Sequence, residues 1–263
     1  MANQRARDVI EALVASIRRV IKENNVDYEE FHAAAGFLVR LAGAGEIPLL
    51  MAVLLEATVD EVTHATSTSS TTTIQGPFYV PGAPLLDPPC KLPRRPGEPG
   101  EVLVVSGTVR GADGALLPGA ELDMWQATGD IPGQYSNVHP GIPDYNLRGR
   151  LRTDDRGRFE VETVVPAQYE IPKSGPTGEL FALIGKSAWR PAHLHFKVSQ
   201  AGYRTLTTQL FFSGDAYLDS DAGNAVKPGL IIPLDKTTGQ DGTSFQASYD
   251  FVLEPQGSAR GPA

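Results

Sequence analysis

The hydrophobic pattern of this chain changes from helical to alternating across a run of Ser and Thr, residues 65–73. Before the run, apolar residues recur three or four positions apart, as on one face of a helix. After it, they alternate with polar residues, as in half-buried strands. We therefore predict a helical region with a linker over residues 1–73 and a β-sandwich domain over residues 74–263, a mainly β fold with helices at its N-terminus.

Three amphipathic helices are predicted before the linker. Asp27 is the expected N-cap of the second helix, with Glu30 completing a capping box, and Pro48 falls in the first turn of the third. Three helices cannot enclose a large core, so they must pack on the rest of the chain or on a second copy. The first helix carries an apolar stripe made of Val9, Ile10, Leu13, Ile17, Val20 and Ile21.

Short alternating segments separated by Gly and Pro dominate the rest of the chain, and no helical pattern intervenes. This combination predicts a β-sandwich. Two stretches, 131–146 and 170–178, are longer than hairpins require and are predicted to be functional loops. The predicted strands lie near residues 102–106, 122–126, 159–165, 193–198, 206–212 and 245–252.

Charge and cysteine content exclude several classes of protein. With 23 basic and 31 acidic residues the formal charge is −8, which argues against a surface for nucleic acid or anionic membranes. The single cysteine, Cys90, favours a reducing compartment. The N-terminal residues lack the apolar core of a signal peptide, and no segment approaches the ~18 apolar residues of a membrane helix. We expect a soluble, cytoplasmic protein.

His193 and His195 form a His-x-His pair on a predicted strand. On a strand both imidazoles point to one face, while Leu194 and Phe196 point to the core. Two adjacent imidazoles can bind a metal ion together, but the motif alone is weak and also fits a surface strand with incidental histidines.

Tyr135 and Tyr169 lie in the two long loops rather than at apolar strand positions. Each could simply cover an edge of the sandwich. Together with two imidazoles, however, two phenolates would form a ligand set with hard anionic oxygens, which suits a ferric ion.

Six sequence blocks resemble the signature of the intradiol ring-cleaving dioxygenases, in the same order and with roughly the same spacing. The N-terminal helices resemble the dimerisation region of that family, so the resemblance covers nearly the whole chain. The blocks are residues 74–80 (IQGPFYV), 123–127 (DMWQA), 133–136 (GQYS), 165–169 (VPAQY), 190–195 (RPAHLH) and 206–209 (LTTQ).

The resemblance implies a non-haem Fe(III) bound by Tyr135, Tyr169, His193 and His195. In this family a catechol binds through both oxygens and displaces a solvent hydroxide and the axial tyrosinate, here Tyr169. With O₂ the ring opens between the two hydroxylated carbons and gives a cis,cis-muconate-type diacid.

Two further residues match catalytic positions of the family. Arg190 would stabilise negative charge on the ring carbon, because a guanidinium stays charged at working pH. Gln209 would orient the substrate. Apart from its place beside the histidines, Arg190 would be interpreted as part of a surface salt bridge. The alternative for Gln209 is a polar strand residue.

The resemblance also outlines a ring pocket. Small residues at Ala52, Ala222 and Gly223 would widen this pocket, so substituted catechols are expected to be favoured over catechol, and Gly223→Phe is expected to refill the space. Residues 169–172 and Phe78 resemble the chlorocatechol and hydroxyquinol branches, which leaves a hydroxyquinol 1,2-dioxygenase giving maleylacetate as an alternative. The implied pocket residues are Leu49, Ala52, Val53, Ile74, Gly76, Pro77, Phe78, Ile171, Pro172, Ala222 and Gly223.

The resemblance further implies a homodimer formed through the N-terminal helices, with a phospholipid between them. Two other classes remain open from the residues alone. A non-catalytic β-sandwich binding module would leave both tyrosines and Arg190 unexplained. A zinc hydrolase built on His-x-His would need uncommon phenolate ligands and lacks a Glu beside the histidines to act as a base.

Overall fold

A computed structural model describes residues 2–239 and 242–257 of the chain. Contacts divide it into two compact units, one ending at Glu46 and the other beginning at Ile47. This boundary lies earlier than the predicted boundary after residue 73, because Leu49 and Ala57 belong to the apolar clusters of the second unit. The division of the sequence into domains at residue 73 stays a prediction.

The first unit contains helices α1 (Ala2–Glu23) and α2 (Tyr28–Gly43). The capping box is confirmed: the Glu30 amide donates to Asp27 Oδ1 at 2.9 Å, and the Asp27 amide donates to Glu30 Oε2 at 3.1 Å. The apolar stripe of α1 is largely exposed within this unit, with Leu13 58% and Ile17 51% accessible.

The second unit begins with a helix that changes its winding. It runs as α3 (Ile47–Met51), a π-helical segment (Ala52–Glu56) and α4 (Ala57–His64), with Pro48 in the first turn as predicted. Such π segments occur often at functional sites. Among the described residues no single helix is long and apolar enough to cross a membrane, although Tyr28–Gly43 and Ile47–His64 pass that test by length and composition when taken together.

The predicted linker, residues 65–73, forms no helix or strand, but hydrogen bonds hold it on the second unit. The Ser70 amide donates to the Val252 carbonyl at 2.9 Å, and the Thr73 amide donates to the Thr207 carbonyl at 3.2 Å. Thr73 is also buried. The segment is therefore a fixed strap leading to residue 74 rather than a free linker.

Strands in the described part of the second unit form a β-sandwich, as predicted. The strands are β1 (Val102–Gly111), β2 (Glu121–Gln126), β3 (Arg148–Arg152), β4 (Arg158–Val164), β5 (Tyr169–Glu170), β6 (Trp189–Arg190), β7 (His193–Ser199), β8 (Leu206–Phe212), β9 (Ile231–Ile232), β10 (Asp235–Gly239), β11 (Gly242–Ser248) and β12 (Phe251–Leu253). One five-stranded sheet has the order β10-β11-β1-β12, with β4 also paired to β1, and the second has the order β3-β2-β7-β8-β9.

The predicted strand over 245–252 and the predicted loop over 170–178 both differ from the structure. The single strand predicted over 245–252 is two strands, because the Tyr249 amide turns to bond the Ser106 carbonyl at 3.0 Å and the Asp250 carboxylate accepts from the Thr108 amide at 2.9 Å. The predicted loop 170–178 runs into a short helix, α5 (Pro176–Leu183).

The main core lies between the two five-stranded sheets. Leu194, Phe196 and Val198 of β7 are fully buried there, together with residues of β1 and β2. The alternation predicted for this strand is confirmed, so the two histidines project from the opposite face of β7.

Candidate metal centre

The two histidines lie in the middle of a sheet. Strand β7 is flanked by β2 and β8, which places His195 opposite Trp125 on one side and Gln209 on the other. His193 and His195 are each 2% exposed, and their Nε2 atoms are 3.1 Å apart. The pair is therefore a buried, converging pair of nitrogen donors and not a surface feature.

Hydrogen bonding and stacking orient both rings. His193 Nδ1 lies 2.6 Å from the Pro191 carbonyl oxygen, so the proton sits on Nδ1 and the lone pair of Nε2 is available. The His195 ring stacks on Trp125, with centroids 4.6 Å apart and planes 9° apart.

Both imidazoles are held in the neutral form that metals bind. Burial, aided by the charge of Arg190, lowers the pKa of His193 to about 3. Burial and the neighbouring His193 hold the pKa of His195 well below its usual value. Near neutral pH neither ring takes up the second proton that would make it a cation and compete with a metal ion.

Tyr135 reaches the histidines from the loop over residues 131–146. Its hydroxyl lies 3.3 Å from His193 Nε2, and its side chain is fully buried. Phe78 stacks on the ring at 4.7 Å. Burial, with the neighbouring Tyr169, raises the pKa of Tyr135 well above its usual value, so its phenolate form needs a compensating cation at this site.

Tyr169 lies in strand β5 rather than in a loop, which corrects the sequence prediction. Strands β5 and β6 pair with Tyr169 directly opposite Arg190. This register brings Arg190 Nη1 to 3.2 Å from the Tyr169 hydroxyl. The Tyr169 ring meets the Tyr135 ring edge-on, with centroids 5.2 Å apart.

Arg190 is buried and serves the site, which excludes the surface salt bridge. Its Nη1 lies 3.3 Å from His193 Nε2, and its Nε donates to Asp221 Oδ1 at 2.7 Å. Burial opposes the charge, but Asp221 and Tyr169 outweigh it and raise the pKa of Arg190 above its usual value. The guanidinium is a permanent positive charge beside the donors.

Gln209 links this charge to the start of the β-rich segment. Its Oε1 accepts from Arg190 Nη2 at 2.9 Å, and its Nε2 donates to the Ile74 carbonyl at 2.8 Å. Both ends of the buried amide are satisfied, so its orientation is fixed.

The donor set fits a ferric ion. Two neutral imidazole nitrogens and two phenol oxygens gather around one point, and oxyanions suit Fe(III) better than zinc. Among the described residues, those around the histidine pair included, no three His, Cys, Asp or Glu side chains group together in a way that could hold a metal ion. A metal at the histidine pair would therefore need the tyrosines as ligands.

Five of the eleven predicted pocket residues belong to the apolar cluster around the tyrosines. Gly76 lies next to His195, because a Cβ placed there would be 3.7 Å from Cε1. Ile74 belongs mainly to the core between the sheets. The apolar cluster around Tyr135 and Tyr169 contains the predicted residues Leu49, Val53, Phe78, Ile171 and Ala222.

Other predicted pocket residues are not gathered into that cluster. Pro172 is exposed and Pro77 is half-buried. Ala52 is buried in the π segment but lies outside the cluster.

Gly223 does not face open space, so the expectation that Gly223→Phe refills a pocket is wrong. A Cβ at Gly223 would lie 3.0 Å from Arg190 Nε and 3.1 Å from Ile74 Cδ1. The position is occupied by the guanidinium, and glycine leaves room for it.

Sequence reasoning missed several residues that support the site. Trp125 lies inside a quoted block and could have been singled out. Asp221 carries no local signal, because it is far along the chain from Arg190. Phe181 of α5 joins the cluster around the tyrosines, and Arg148 places its guanidinium carbon 5.8 Å from the Tyr135 ring centre.

Two family models match the chain. The model described as "Dioxygenase" covers residues 74–255, and the one described as "Catechol dioxygenase N terminus" covers residues 3–71. Together they span nearly all of the sequence.

Similar proteins match the chain over nearly its whole length. The chain is 40% identical to a chlorocatechol 1,2-dioxygenase of Rhodococcus opacus over 97% of this chain and 99% of that protein. It is 38% identical to one of Pseudomonas putida, over 96% and 94%. The crystal structure of 3-chlorocatechol 1,2-dioxygenase from Rhodococcus opacus 1CP superposes with a TM-score of 0.91 at 44% identity, covering 96% of this chain and 99% of that one. The chain therefore belongs to the intradiol ring-cleaving dioxygenases, the family that its motifs resemble.

Proposed function

We propose that this protein cleaves the ring of catechols between the two hydroxylated carbons with O₂, using a non-haem ferric ion. The observation that carries the proposal is the convergence of two neutral imidazoles, two buried tyrosines and a buried Arg190 at one point. A binding module would have no use for this arrangement.

Tyr135, Tyr169, His193 and His195 would hold the iron. Bound there, ferric ion would bind both catechol oxygens and make the ring reactive towards O₂. The neutral histidines supply nitrogen lone pairs, and stacking on Trp125 fixes the orientation of the His195 ring.

Tyr169 would act as a proton acceptor for the substrate. A catechol must lose two protons to bind as a dianion. A phenolate is a suitable base for one of them, and the solvent hydroxide that the family resemblance implies would take the other and leave as water. Arg190 Nη1, 3.2 Å from the Tyr169 oxygen, stabilises the anionic form before the proton arrives. The proton then resides on Tyr169 Oη.

Arg190 also stabilises charge on the substrate. Its guanidinium lies beside the donors, excluded from water, where a fixed positive charge acts strongly on negative charge developing on the ring. Gln209 and Asp221 hold it in place from two sides.

The substrate class is a catechol with an apolar ring substituent. Leu49, Val53, Phe78, Ile171 and Ala222 provide an apolar lining. An added ring hydroxyl, as in hydroxyquinol, would lose water without an evident partner in such a lining. The whole-length relatives named for chlorocatechol support the same choice.

The test is product analysis by mass spectrometry after incubation with catechol, 4-chlorocatechol or hydroxyquinol under ¹⁸O₂. We expect diacids that carry oxygen from O₂, with chlorocatechol turned over at least as efficiently as catechol. His193→Gln should abolish turnover, whereas His64→Gln, a histidine on α4, should not. Iron-loaded protein that gives no product, or gives an aldehyde acid from cleavage beside the diol, would refute the proposal. Preference for hydroxyquinol would refute the substrate class alone.

We also propose that two copies pair through α1 in the cytoplasm. The exposed apolar stripe on α1 would be covered by the same stripe of a second copy in a two-fold arrangement. A phospholipid between the helices stays a prediction of the family resemblance.

A further inference from the structure

The geometry points to Asp221 as the residue that positions Arg190 for ring cleavage. This inference rests on the proposed function and adds a residue that no sequence motif indicated. Asp221 lies just after a short 3₁₀ turn (Leu218–Ser220) and is 6% exposed.

Both carboxylate oxygens of Asp221 are used in the same way. Oδ1 accepts from Arg190 Nε at 2.7 Å and from the Gly223 amide at 3.1 Å. Oδ2 accepts from Arg190 Nη2 at 3.2 Å and from the Ala225 amide at 2.8 Å. Each oxygen thus binds one guanidinium nitrogen and one backbone amide.

This pattern requires a carboxylate. An Asn at this position would turn its NH₂ group towards two donors, whichever way the amide faced, and would leave buried donors unpaired. A bidentate ion pair also fixes the plane of the guanidinium, which a single hydrogen bond does not.

The free end of the guanidinium then faces the reaction site. With Nε and Nη2 held by Asp221 and Gln209, Nη1 is directed at Tyr169 and His193. Gly223 adds to this arrangement, since its missing Cβ leaves the space in which the guanidinium lies. Its hydrogen bonds in the described structure go to Arg190, Gly223 and Ala225 rather than to the tyrosines or histidines, so we infer that it acts through Arg190.

The test is a double-mutant cycle between Asp221→Asn and Arg190→Gln, measured in the iron-loaded enzyme as kcat/KM for catechol. Loss of a residue that orients a functional group typically costs about 10- to 100-fold. We expect D221N to lower kcat/KM by that factor in the native background and by less than about twofold beside R190Q. Iron content and the visible absorption band should stay near those of the unaltered protein.

Asp60→Asn is the matched control. Asp60 is a buried carboxylate that pairs with Lys227 at 2.7 Å and accepts from Thr72 at 3.0 Å, away from the described donors. We expect both Asp60→Asn and D221N to lower the thermal unfolding temperature, because each removes a buried carboxylate. Only D221N is expected to change kcat/KM. If D221N is not recovered folded, Asp221→Glu enters the same cycle, since it keeps the charge and displaces it by one methylene.

Equal losses in both Arg190 backgrounds, or full activity in D221N, would overturn the inference. Native protein that binds iron and catechol without cleaving it would instead refute the proposed function. The cycle is then measured on catechol affinity, where Asp221 is again expected to act only together with Arg190.

Discussion

A methyl group at Gly223 should lower the stability and the activity of the enzyme by displacing Arg190, and should leave its substrate preference unchanged. In Gly223→Ala the new Cβ would lie 3.0 Å from Arg190 Nε and 3.1 Å from Cζ. Asp221 and Gln209 hold the guanidinium from other sides, so it can yield only by stretching those hydrogen bonds. Crowding of this kind typically costs about 1–3 kcal/mol.

That cost corresponds to a fall of about 2–12 °C in the unfolding temperature for a domain of this size. Displacement of a charged group by part of an ångström should lower kcat/KM about 3- to 10-fold, given that ~1 Å misplacements can cost about 100-fold. The loss should be the same for catechol and 4-chlorocatechol, because the displaced group acts on both.

The assay is thermal unfolding together with kinetics on both substrates. Gly36→Ala is the control, since nothing lies within 4 Å of a Cβ at that α2 position. Alanine there should leave kinetics unchanged. Full stability in Gly223→Ala, with a changed ratio between the two substrates, would mean that Gly223 faces the ring substituent after all.

Three further predictions concern the ligands, the assembly and acid stability. Tyr169→Phe should weaken iron retention and shift or bleach the visible band, because one of two charge-transfer phenolates is lost; an unchanged spectrum at full iron content would remove Tyr169 from the ligand set. Placing Asp at Leu13 and Ile17 should give monomers or insoluble protein, and a stable dimer on sedimentation would place the interface elsewhere. The metal-free protein should become less stable to urea as pH falls below about 6.5. The reason is that His193 and His195 take up protons in the unfolded chain at that pH, whereas their lowered pKa values keep them neutral in the folded protein. Changing both histidines to Gln should flatten that dependence, and an unaltered slope would contradict it.

Local patterns predicted the features that depend on neighbours in sequence. The Asp27 capping box and the alternation around His193 and His195 are set within a few residues, so the sequence is sufficient for them. Tyr135 was identified as an iron ligand only from the family blocks, because its approach to the histidines depends on the three-dimensional fold and not on its neighbours in sequence.

Features that depend on pairing between distant segments could not be predicted. Tyr169 meets Arg190 only because β5 and β6 pair in one register. Asp221 meets Arg190 only because the turn after residue 220 brings these distant segments together. The need for glycine at position 223 likewise follows from the guanidinium that lies beside it. The helix α5 was missed because Pro176 to Gly178 begin it with poor helix formers and its apolar residues form no clear stripe.

Metal analysis of the purified protein, combined with its visible spectrum, tests the central claim most directly. We predict one iron per chain and a red-brown colour from ferric–tyrosinate charge transfer, reduced in Tyr135→Phe and Tyr169→Phe. A colourless protein that carries zinc, or that stays free of metal when iron is supplied, would contradict it.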